Sequence, residues 1–176
     1  MNSTITAIIQ ARMGSTRLPG KSLMLLKGKP MLWHIFQRLS SVKEINNVVV
    51  ATSDLSADNV IYDITKKYNM SCFRGSEDNV LSRFYDASQA FPSNHILRIT
   101  GDCPLVDPKI IGKLIELYLS NDYDYCNVGC GAAASNRKNI NYFPDGLDAE
   151  IFSRDVLTIA KNEAVKSIEK EHVTPF

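Results

Sequence analysis

The sequence predicts an α/β fold in which helices are layered on a largely parallel β-sheet. Short apolar runs alternate along the chain with segments whose apolar residues recur at helical spacing, and this alternation is typical of parallel strands joined by helices. The chain of 176 residues contains 44% hydrophobic and 22% charged residues, the composition of a soluble globular protein. Its length allows one domain with a sizeable core, so folding requires neither disulfides nor a metal ion.

The first half of the chain alternates between predicted strands and predicted helices. An apolar run predicts a buried strand over residues 5–9. Pro30 is expected to open a helix in its first turn, where the missing N–H of proline costs nothing. Residues 48–51 predict a second strand, and Ser56 is expected to cap a helix that reaches Tyr68.

The same alternation continues through the middle of the chain. Residues 71–73 predict a short strand, and a loop over 75–78 connects it to a helix with its apolar face at 80–87. Residues 96–99 form the next apolar run and predict another strand. Asp107 is expected to be the N-cap of the helix that follows.

The last part of the chain contains one segment of different composition. Residues 124–127 predict a strand, whereas residues 129–144 are rich in Gly, Ala, Ser and Asn and predict an extended loop or arm. Alternation over 147–152 predicts a further strand, and Ser153 or Asp155 is expected to begin another helix. Sheets of this class bind ligands at the carboxyl ends of their strands, so we expect a site in the loops that follow the strands.

Several classes of protein are excluded by the composition. No apolar run approaches the ~20 residues of a membrane span, and the N-terminal apolar run over 5–9 lacks the basic flank of a secretory signal. The four cysteines, at positions 72, 103, 126 and 130, form no Cys-x-x-Cys pair, so a structural zinc site is not expected. Reduced thiols in a cytoplasmic protein are the interpretation that fits these cysteines.

The basic side chains are concentrated near the N-terminus. Seven of the 20 lysines and arginines precede Glu44, the first acidic residue. The remaining 13 basic and 19 acidic residues give the rest of the chain a net charge of −6, although the whole chain carries +1. A basic block on a nearly neutral protein favours a local anion site over a nucleic-acid surface, which would show a basic excess across the domain. A solvated basic face explains the charge equally well.

The loop over residues 10–22, directly after the first predicted strand, concentrates groups that bind phosphate. Its two glycines allow backbone amides to approach an anion closely, and its three cations are Arg12, Arg17 and Lys21. This composition predicts a site for a triphosphate, whose charge requires several cations together with backbone donors. A surface turn with incidental charge is the alternative.

A P-loop is a rival interpretation of the same loop, but two features disagree with its pattern. Gly14 and Gly20 are separated by five residues, where a P-loop has about four. A P-loop also runs directly into a long helix, whereas Gly28 and Pro30 interrupt this segment. The glycine fingerprint of dinucleotide-binding proteins is absent from the sequence.

A resemblance to a known family begins with the run Ala-Arg-Met-Gly-Ser-Thr-Arg-Leu-Pro-Gly-Lys at residues 11–21. This run is similar to the opening motif of the cytidylyltransferases that activate acidic sugars, which include the CMP-Kdo synthetases and the acylneuraminate cytidylyltransferases. The SpsF-like branch of that family is the most similar. Four later runs resemble the family in the same order and extend the resemblance over essentially the whole chain: residues 74–83, 98–105, 144–150 and 171–175.

The resemblance implies a single nucleotidyltransferase domain over residues 1–176, with a Rossmann-like three-layer sandwich of the nucleotide-diphospho-sugar transferase (GT-A-like) type. It implies a Mg²⁺-dependent reaction in which CTP activates a sugar, expected to be acidic, as its CMP derivative with release of pyrophosphate. Such an enzyme serves cell-surface or spore-coat polysaccharide synthesis in the cytoplasm, and its partners are CTP and the sugar, with no nucleic acid and no membrane. Because the family is often dimeric, the arm over 129–144 is the expected contact of a homodimer.

The resemblance also assigns roles to individual residues. Arg12, Lys21 and Asp102 are implied to be catalytic, with Asp102 as the Mg²⁺ ligand, a role that suits a carboxylate just after a predicted strand. The implied nucleotide-binding residues are Ala11, Arg12, Gly14, Ser15, Arg17, Lys21, Arg74, Ser76 and Asp102, among which Arg74 and Ser76 face the cytosine. The implied sugar-binding residues are Asp145, Asp148, Glu150 and His172.

The resemblance leaves some points open. Relatives continue beyond the motif at 171–175 and usually carry a second metal-binding aspartate there, so the chain is expected to lack the C-terminal portion of the family. The sequence identifies no general base. A non-catalytic nucleotide-binding protein or truncated paralogue is an alternative, as is a related nucleotidyl- or glycosyltransferase that uses another base.

Overall fold

A computed structural model of the chain describes residues 3–15, 18–128, 143–144 and 146–175. The described residues contain eight strands and six α-helices, which alternate along most of the chain as the sequence predicts. In chain order the elements are β1 (Ile5–Gln10), β2 (Leu25–Leu26), β3 (Lys29–Pro30), α1 (Met31–Ser40), β4 (Asn47–Ser53), α2 (Asn59–Lys67), β5 (Ser71–Gly75), α3 (Val80–Ala90), β6 (His95–Thr100), α4 (Pro108–Leu119), β7 (Tyr125–Asn127), β8 (Ala149–Ser153), α5 (Arg154–Glu163) and α6 (Ser167–His172).

The central sheet has six strands in the order β5-β4-β1-β6-β8-β7. The four strands from β5 to β6 are parallel, whereas β8 runs antiparallel to both β6 and β7. The predicted, largely parallel sheet is therefore confirmed, with an antiparallel edge. The chain builds the sheet from β1 to β5 in one direction and then returns to β6 on the other side of β1. The strands β1 and β6 thus form the switch point at which such sheets bind ligands.

Helices cover both faces of this sheet and complete a three-layer sandwich. Ile5, Ala7 and Ile9 of β1 belong to the core shared with α1, α2 and α4, while Ile8 belongs to the core shared with α3 and α5. The division follows from the alternation of side chains across a strand, and all four side chains are fully buried. With both faces covered, the loops at the strand ends extend from a rigid base.

A short hairpin, formed by β2 and β3, lies between β1 and α1 and is absent from the predicted elements. Lys27 and Gly28 at its turn have φ angles of 48° and 76°, the pattern of a two-residue type I′ turn. Pro30 belongs to β3 and is the N-cap residue of α1, which begins at Met31. Pro30 therefore precedes the first turn of the helix instead of lying within it, because its extended backbone completes the hairpin.

One predicted helix cap is wrong and two are confirmed. Ser56 begins a 3-10 turn that ends at Asp58, and neither residue caps α2 with its side chain. By contrast, the carboxylate of Asp107 accepts from the N–H of Lys109 at 2.7 Å at the start of α4, and Ser153 caps α5 with its hydroxyl. The difference arises because the carboxylate of Asp58 is used for other contacts, described below.

The end of the chain differs in part from its predicted organisation. The strand predicted over 147–152 begins only at Ala149, which leaves Asp148 in the preceding loop. The predicted arm over 129–144 lies outside the described residues except for its last two positions, so its role in a dimer stays a prediction. Within the described ranges, every helix is too short or too polar to cross a membrane.

Candidate active site

The loops that follow β1 and β6 meet at the switch point of the sheet. Gln10, the last residue of β1, aligns with Thr100, the last residue of β6, and the N–H of Gly101 donates to the Gln10 carbonyl at 2.8 Å. A Cβ atom at residue 101 would lie 2.7 Å from that carbonyl oxygen, so only glycine permits this close approach of the two backbones. The two loops are thereby fixed against each other.

A cleft of about 320 Å³ lies between these loops. It opens at the carboxyl ends of β1 and β6, where the topology predicts a ligand site. Its walls come from the loop after β1, from β6 and its following loop, and from the end of α6: Gln10, Ala11, Arg12, Gly14, Ser15, Lys21, Ser22, Arg98, Thr100, Gly101, Asp102, Glu171 and His172. The cleft therefore brings together seven of the predicted site residues from distant motifs, namely Ala11, Arg12, Gly14, Ser15, Lys21, Asp102 and His172.

The loop after β1 is held in shape by a buried carboxylate, Asp58. One oxygen of Asp58 accepts from the N–H of Met13 at 2.7 Å. The other accepts from the N–H and the hydroxyl of Ser53, at 3.2 and 2.5 Å. Further along, Gly20 has a φ of 71° and donates to the Met13 carbonyl at 3.2 Å. The loop thus folds back on itself and places Lys21 at the cleft.

Arg12 and Glu77 connect the loop after β1 to the loop after β5. Nη1 of Arg12 donates to Oε1 of Glu77 at 3.1 Å, and the two side chains are 37% and 21% exposed. Arg12 therefore lies in the cleft wall, as a phosphate-binding cation must, and a guanidinium has further N–H donors besides the one in this pair. Arg17, the third predicted cation of the loop, lies outside the described residues.

Lys21 and Asp102 meet in the cleft as an ion pair. Nζ of Lys21 donates to Oδ2 of Asp102 at 2.5 Å. Burial raises the pKa of Asp102, but hydrogen bonds from Lys21 and Thr100 and the positive charge of Lys21 outweigh this effect, so the pKa lies below its usual value. Asp102 therefore presents an ionised carboxylate to the cleft at neutral pH.

The donor groups around Asp102 suit Mg²⁺. This ion is usually held by one or two carboxylates together with phosphate oxygens. Asp102 supplies one carboxylate, and Asp148 lies nearby, because Sγ of Cys103 is 4.0 Å from Oδ1 of Asp102 and 3.9 Å from Oδ2 of Asp148. Among the described residues, no set of three potential ligands is assembled in advance. Phosphate oxygens of a bound nucleotide, together with water, would complete the ligand set of such an ion.

A second side of the site is built on the ion pair between Arg98 of β6 and Glu150 of β8. Nη1 of Arg98 donates to Oε2 of Glu150 at 2.7 Å, and Nη2 donates to the side chain of Gln10 at 3.3 Å. The same Glu150 oxygen accepts from the hydroxyl of Thr174 at 3.0 Å. Arg98 lines the cleft, whereas Glu150 is not one of its lining residues. Glu150 thus fixes Arg98 in the wall of the cleft.

The other predicted sugar-binding residues lie at different places around this pair. Asp148 accepts from the N–H of Gly146 at 3.2 Å. Because β8 begins after Asp148, that residue lies in the loop before the strand, whereas Glu150 lies within β8. His172 is exposed at the end of α6 and lines the cleft. Asp145 lies outside the described residues.

Arg74 and Ser76, the residues predicted to face the cytosine, are not among those that line the cleft. Arg74 donates to the carbonyls of Ser53 and Leu55, at 2.9 Å in each case. The hydroxyl of Ser76 accepts from the N–H of Asn79 at 3.1 Å. Both side chains support the backbone of the β5 end in this structure, and their contact with a base stays a prediction.

Four residues that shape the site were not predicted from the sequence: Asp58, Glu77, Arg98 and Gly101. Asp58 contacts the loop after β1 from 45 positions away, and the partner of Glu77 is 65 positions away. Such contacts have no periodic pattern along the chain. The available signal was that Glu77, Arg98 and Gly101 lie within the runs at 74–83 and 98–105 that resemble a known family.

Comparison with protein families and curated proteins gives consistent matches. A family profile described as "Cytidylyltransferase" matches residues 6–176. An uncharacterized protein of Methanocaldococcus jannaschii is 38% identical over 172 residues, which are 98% of this chain and 66% of that protein. The spore coat polysaccharide biosynthesis protein SpsF of Bacillus subtilis is 35% identical over an alignment of 177 positions, which covers 98% of this chain and 69% of that protein.

A further curated relative carries a substrate in its name. The 3-deoxy-manno-octulosonate cytidylyltransferase of Trichlorobacter lovleyi is 35% identical over 117 residues, which are 66% of this chain and 46% of that protein. The chain therefore spans about two thirds of the length of the first two relatives, at 66% and 69%, and about half of the third.

Comparison with solved structures gives the same family. A cytidylyltransferase from Leptospira borgpetersenii superposes with a TM-score of 0.87 at 34% identity, over 98% of this chain and 70% of that chain. The CMP:2-keto-3-deoxy-manno-octonic acid synthetase complexed with CTP superposes with a TM-score of 0.74 at 20% identity, over 97% of this chain and 83% of that chain. The second likeness concerns the fold alone.

Proposed function

Because the chain belongs to the cytidylyltransferase family, we propose that it transfers the cytidylyl group of CTP to a sugar and releases pyrophosphate. The observation that carries this proposal is the cleft at the switch point, where Arg12, Lys21 and Asp102 converge from two loops. Two cations beside a carboxylate are the groups that a triphosphate with bound Mg²⁺ requires.

Arg12 and Lys21 bind the triphosphate in this proposal. Each of them lies in an ion pair with at least one side chain more than a third exposed, at 37% for Arg12 and 40% for Asp102. Such pairs leave each cation accessible, so phosphate oxygens can share it with its carboxylate partner at low cost. As the sugar hydroxyl attacks the α-phosphorus and the bond to pyrophosphate breaks, negative charge develops that fixed cations stabilise. We expect Lys21 to contribute most to this step.

Asp102 holds Mg²⁺ in this proposal, together with oxygens of the bound nucleotide. Its pKa below the usual value keeps the carboxylate ionised at neutral pH, the state that a hard cation requires. When bound, the metal neutralises phosphate charge and aligns the reacting groups. Lys21 is within hydrogen-bond distance of Asp102, so both side chains can serve the same phosphates.

The sugar occupies the β8 side of the cleft in this proposal, near Arg98 and His172. Arg98 adds a positive charge that suits the carboxylate of an acidic sugar, and Glu150 keeps it in place. Asp148 and Glu150, with Asp145, stay the proposed acceptors for sugar hydroxyls. The names of the relatives, one acting on 3-deoxy-manno-octulosonate and one serving the spore coat polysaccharide, support an acidic sugar destined for a cell-surface or spore-coat polysaccharide.

A pyrophosphate-release screen tests the proposal. The chain is incubated with Mg²⁺, with CTP, UTP, GTP or ATP, and with acidic or neutral sugars. We expect pyrophosphate to be released only when CTP and an acidic sugar are both present. Release with another nucleotide would contradict the assignment of the base, and release with neutral sugars would contradict the sugar class.

A thermal-shift series with the same four nucleotides separates binding from turnover. A ligand that binds the folded state raises the melting temperature, and at equal concentration the tighter ligand gives the larger shift, so CTP with Mg²⁺ is expected to give the largest shift. A shift without pyrophosphate release under any condition would indicate a non-catalytic nucleotide-binding protein. The absence of a shift with every nucleotide would refute the proposed function.

The proposal also includes a cytoplasmic location and a homodimer. The described cysteines Cys72, Cys103 and Cys126 are all free thiols, which supports a reducing compartment. The dimer depends on the resemblance to the family and on the arm over 129–144. Light scattering of the chain at several concentrations tests it, and a monomer throughout would refute it.

A further inference from the structure

Arg83 is a fully buried arginine beneath the loop that follows β5. It lies on α3 with no exposed surface, and its Nη1 donates to the carbonyl of Ser76 at 2.5 Å. Its Nε and Nη2 are also buried, and neither has a hydrogen-bond partner in the part of the chain that the structure describes. A buried guanidinium requires a negative charge close by, since an uncompensated buried charge is strongly destabilising.

Glu77 is the acidic residue whose charge acts most on Arg83, although no direct ion pair joins the two side chains in the part of the chain that the structure describes. Burial lowers the pKa of Arg83, and the charge of Glu77 counters this shift more than that of any other acidic residue. Oε2 of Glu77 is itself buried and lacks a hydrogen-bond partner among the described residues. Gly75 allows the close packing of this region, because a Cβ atom there would lie 3.2 Å from Cγ of Arg83. The guanidinium of Arg83 and one oxygen of Glu77 are thus both buried near the end of β5, without a direct ion pair between them.

The other oxygen of Glu77 contacts a residue of the cleft wall. Oε1 accepts from Nη1 of Arg12 at 3.1 Å, and Arg12 lines the cleft. The positive charge of Arg12 contributes to lowering the pKa of Arg83, which places all three side chains in one electrostatic neighbourhood. One carboxylate therefore connects a buried arginine to the arginine in the cleft.

We propose that Glu77 is a positioning residue, which the buried Arg83 anchors and which holds the guanidinium of Arg12 toward the phosphates of the nucleotide. The inference rests on the proposed function, because it takes Arg12 as a phosphate ligand. An exposed carboxylate would hold an arginine only weakly, but the side chain of Glu77 is only 21% exposed and one of its oxygens is buried. Since arginine has several N–H donors, pairing through Nη1 leaves others for phosphate oxygens.

A double-mutant cycle on CTP binding tests this inference. Glu77→Ala is expected to weaken CTP binding about tenfold, the usual cost of removing a group that orients a ligand-binding side chain. Arg12→Ala is expected to weaken binding at least as much. In the Arg12→Ala background, the change at Glu77 is expected to have no further effect. Isothermal titration calorimetry gives the four affinities, and additive effects or an unchanged affinity in Glu77→Ala would overturn the inference.

The controls separate positioning from general damage to the fold. Asp86→Asn is the matched control, because Asp86 is an exposed acid on α3 and its loss removes the same charge; its CTP affinity is expected to equal that of the wild type. If Glu77→Ala does not fold, Glu77→Asp takes its place. Glu77→Asp retains the negative charge but shortens the side chain that contacts Arg12. We therefore expect the same weakening of CTP binding, and again no further effect in the Arg12→Ala background.

The orientation of Arg12 can also be measured without a nucleotide. NMR relaxation of the Arg12 Nε–H group reports the order of the guanidinium, which is expected to be higher in the wild type than in Glu77→Asp. If the wild type binds no nucleoside triphosphate, the proposed function fails, while a loss of order in Glu77→Asp would still support positioning by Glu77. Unchanged order in that variant would overturn the inference.

Discussion

The ion pair at the phosphate side of the cleft, Lys21–Asp102, differs from the pair at the β8 side, Arg98–Glu150. The first connects two loops, and its side chains are 26% and 40% exposed. The second connects residues directly opposite each other on neighbouring strands, and its side chains are 11% and 22% exposed. Exposed pairs contribute little to stability, whereas removing one partner of a buried pair is costly.

The difference shows which part of the cleft can exchange its partners. At Lys21–Asp102, solvent already competes with each charge, so a phosphate or a metal ion can take over either partner. At Arg98–Glu150, the strand register holds the pair together, as do the hydrogen bond that Arg98 donates to Gln10 and the one that Thr174 donates to Glu150. We therefore expect changes at the loop pair to alter activity with little effect on stability, and changes at the strand pair to alter stability as well as activity.

The largest expected effect is the loss of stability in Arg98→Leu. Glu150 would keep its charge on β8 without a cationic partner, and removing one member of a buried pair costs about 4 kcal/mol. Urea unfolding followed by circular dichroism measures the loss. The double change Arg98→Leu with Glu150→Leu removes both charges and is expected to recover much of the stability. A decrease in unfolding free energy below about 1 kcal/mol, the range of an exposed pair, would contradict the expected difference between the two pairs.

The next largest effect is expected on turnover in Lys21→Ala. Loss of one fixed donor that stabilises transition-state charge lowers kcat by about 10²–10³-fold, equivalent to about 3 kcal/mol. The free energy of unfolding is expected to change by less than about 1 kcal/mol, since the pair is half-exposed. Pyrophosphate release measures turnover, and Lys43→Ala, an exposed lysine of the same basic block, is the control. Unchanged turnover in Lys21→Ala would contradict the role assigned to Lys21.

Asp102→Asn tests whether the loop pair also takes part in Mg²⁺ binding. The amide retains the size of the side chain but loses the charge that a hard cation requires. We expect Mg²⁺ to strengthen CTP binding in the wild type and to have no effect on it in Asp102→Asn. Calorimetric titrations with and without Mg²⁺ measure this dependence. An unaltered Mg²⁺ effect would remove Asp102 from the metal site.

The smallest expected effect is the pH dependence of stability that Asp102 contributes. Its pKa in the folded protein is below the usual value, so the ionised carboxylate stabilises the fold above about pH 4 and loses this contribution as the pH falls further. Solvent screening keeps the contribution under about 1 kcal/mol. The difference in unfolding free energy between wild type and Asp102→Asn should therefore shrink from pH 7 to pH 3. A difference independent of pH would show that the Lys21–Asp102 pair adds no stability.

The fold was predictable in outline because apolar periodicity records which side of each element is buried. The run over 5–9 and the helix with its apolar face at 80–87 were recognised from that pattern alone, and both occur in the structure. The β2–β3 hairpin was not predicted, because strands of two residues are too short to show an alternation of apolar and polar residues. The cap predicted at Ser56 is wrong because α2 begins only at Asn59, which puts Asp58 at the N-cap position, and the Asp58 carboxylate contacts Ser53 and the loop after β1 instead.

The candidate site was predictable where a single segment carries the chemistry. The loop after β1 contains Arg12 and Lys21 within one short run, and Asp102 follows a strand directly. The residues that hold these groups in place were not predictable from the pattern, because each acts through a distant partner. The role proposed for Glu77 depends on its neighbours Arg12 and Arg83, and the role of Arg98 depends on its ion pair with Glu150.

By itself, the sequence determined the alternation of strands and helices and the cationic composition of the first loop. Both are local properties, since the periodicity of apolar residues and the chemistry of a short loop depend only on residues that are close in sequence. The tertiary structure alone decided that β1 and β6 are neighbours, and this brings Lys21 to Asp102 across 81 positions of sequence. It also decided which charges are buried and which are exposed. The strength of an ion pair depends on that burial, which no residue possesses before the chain has folded.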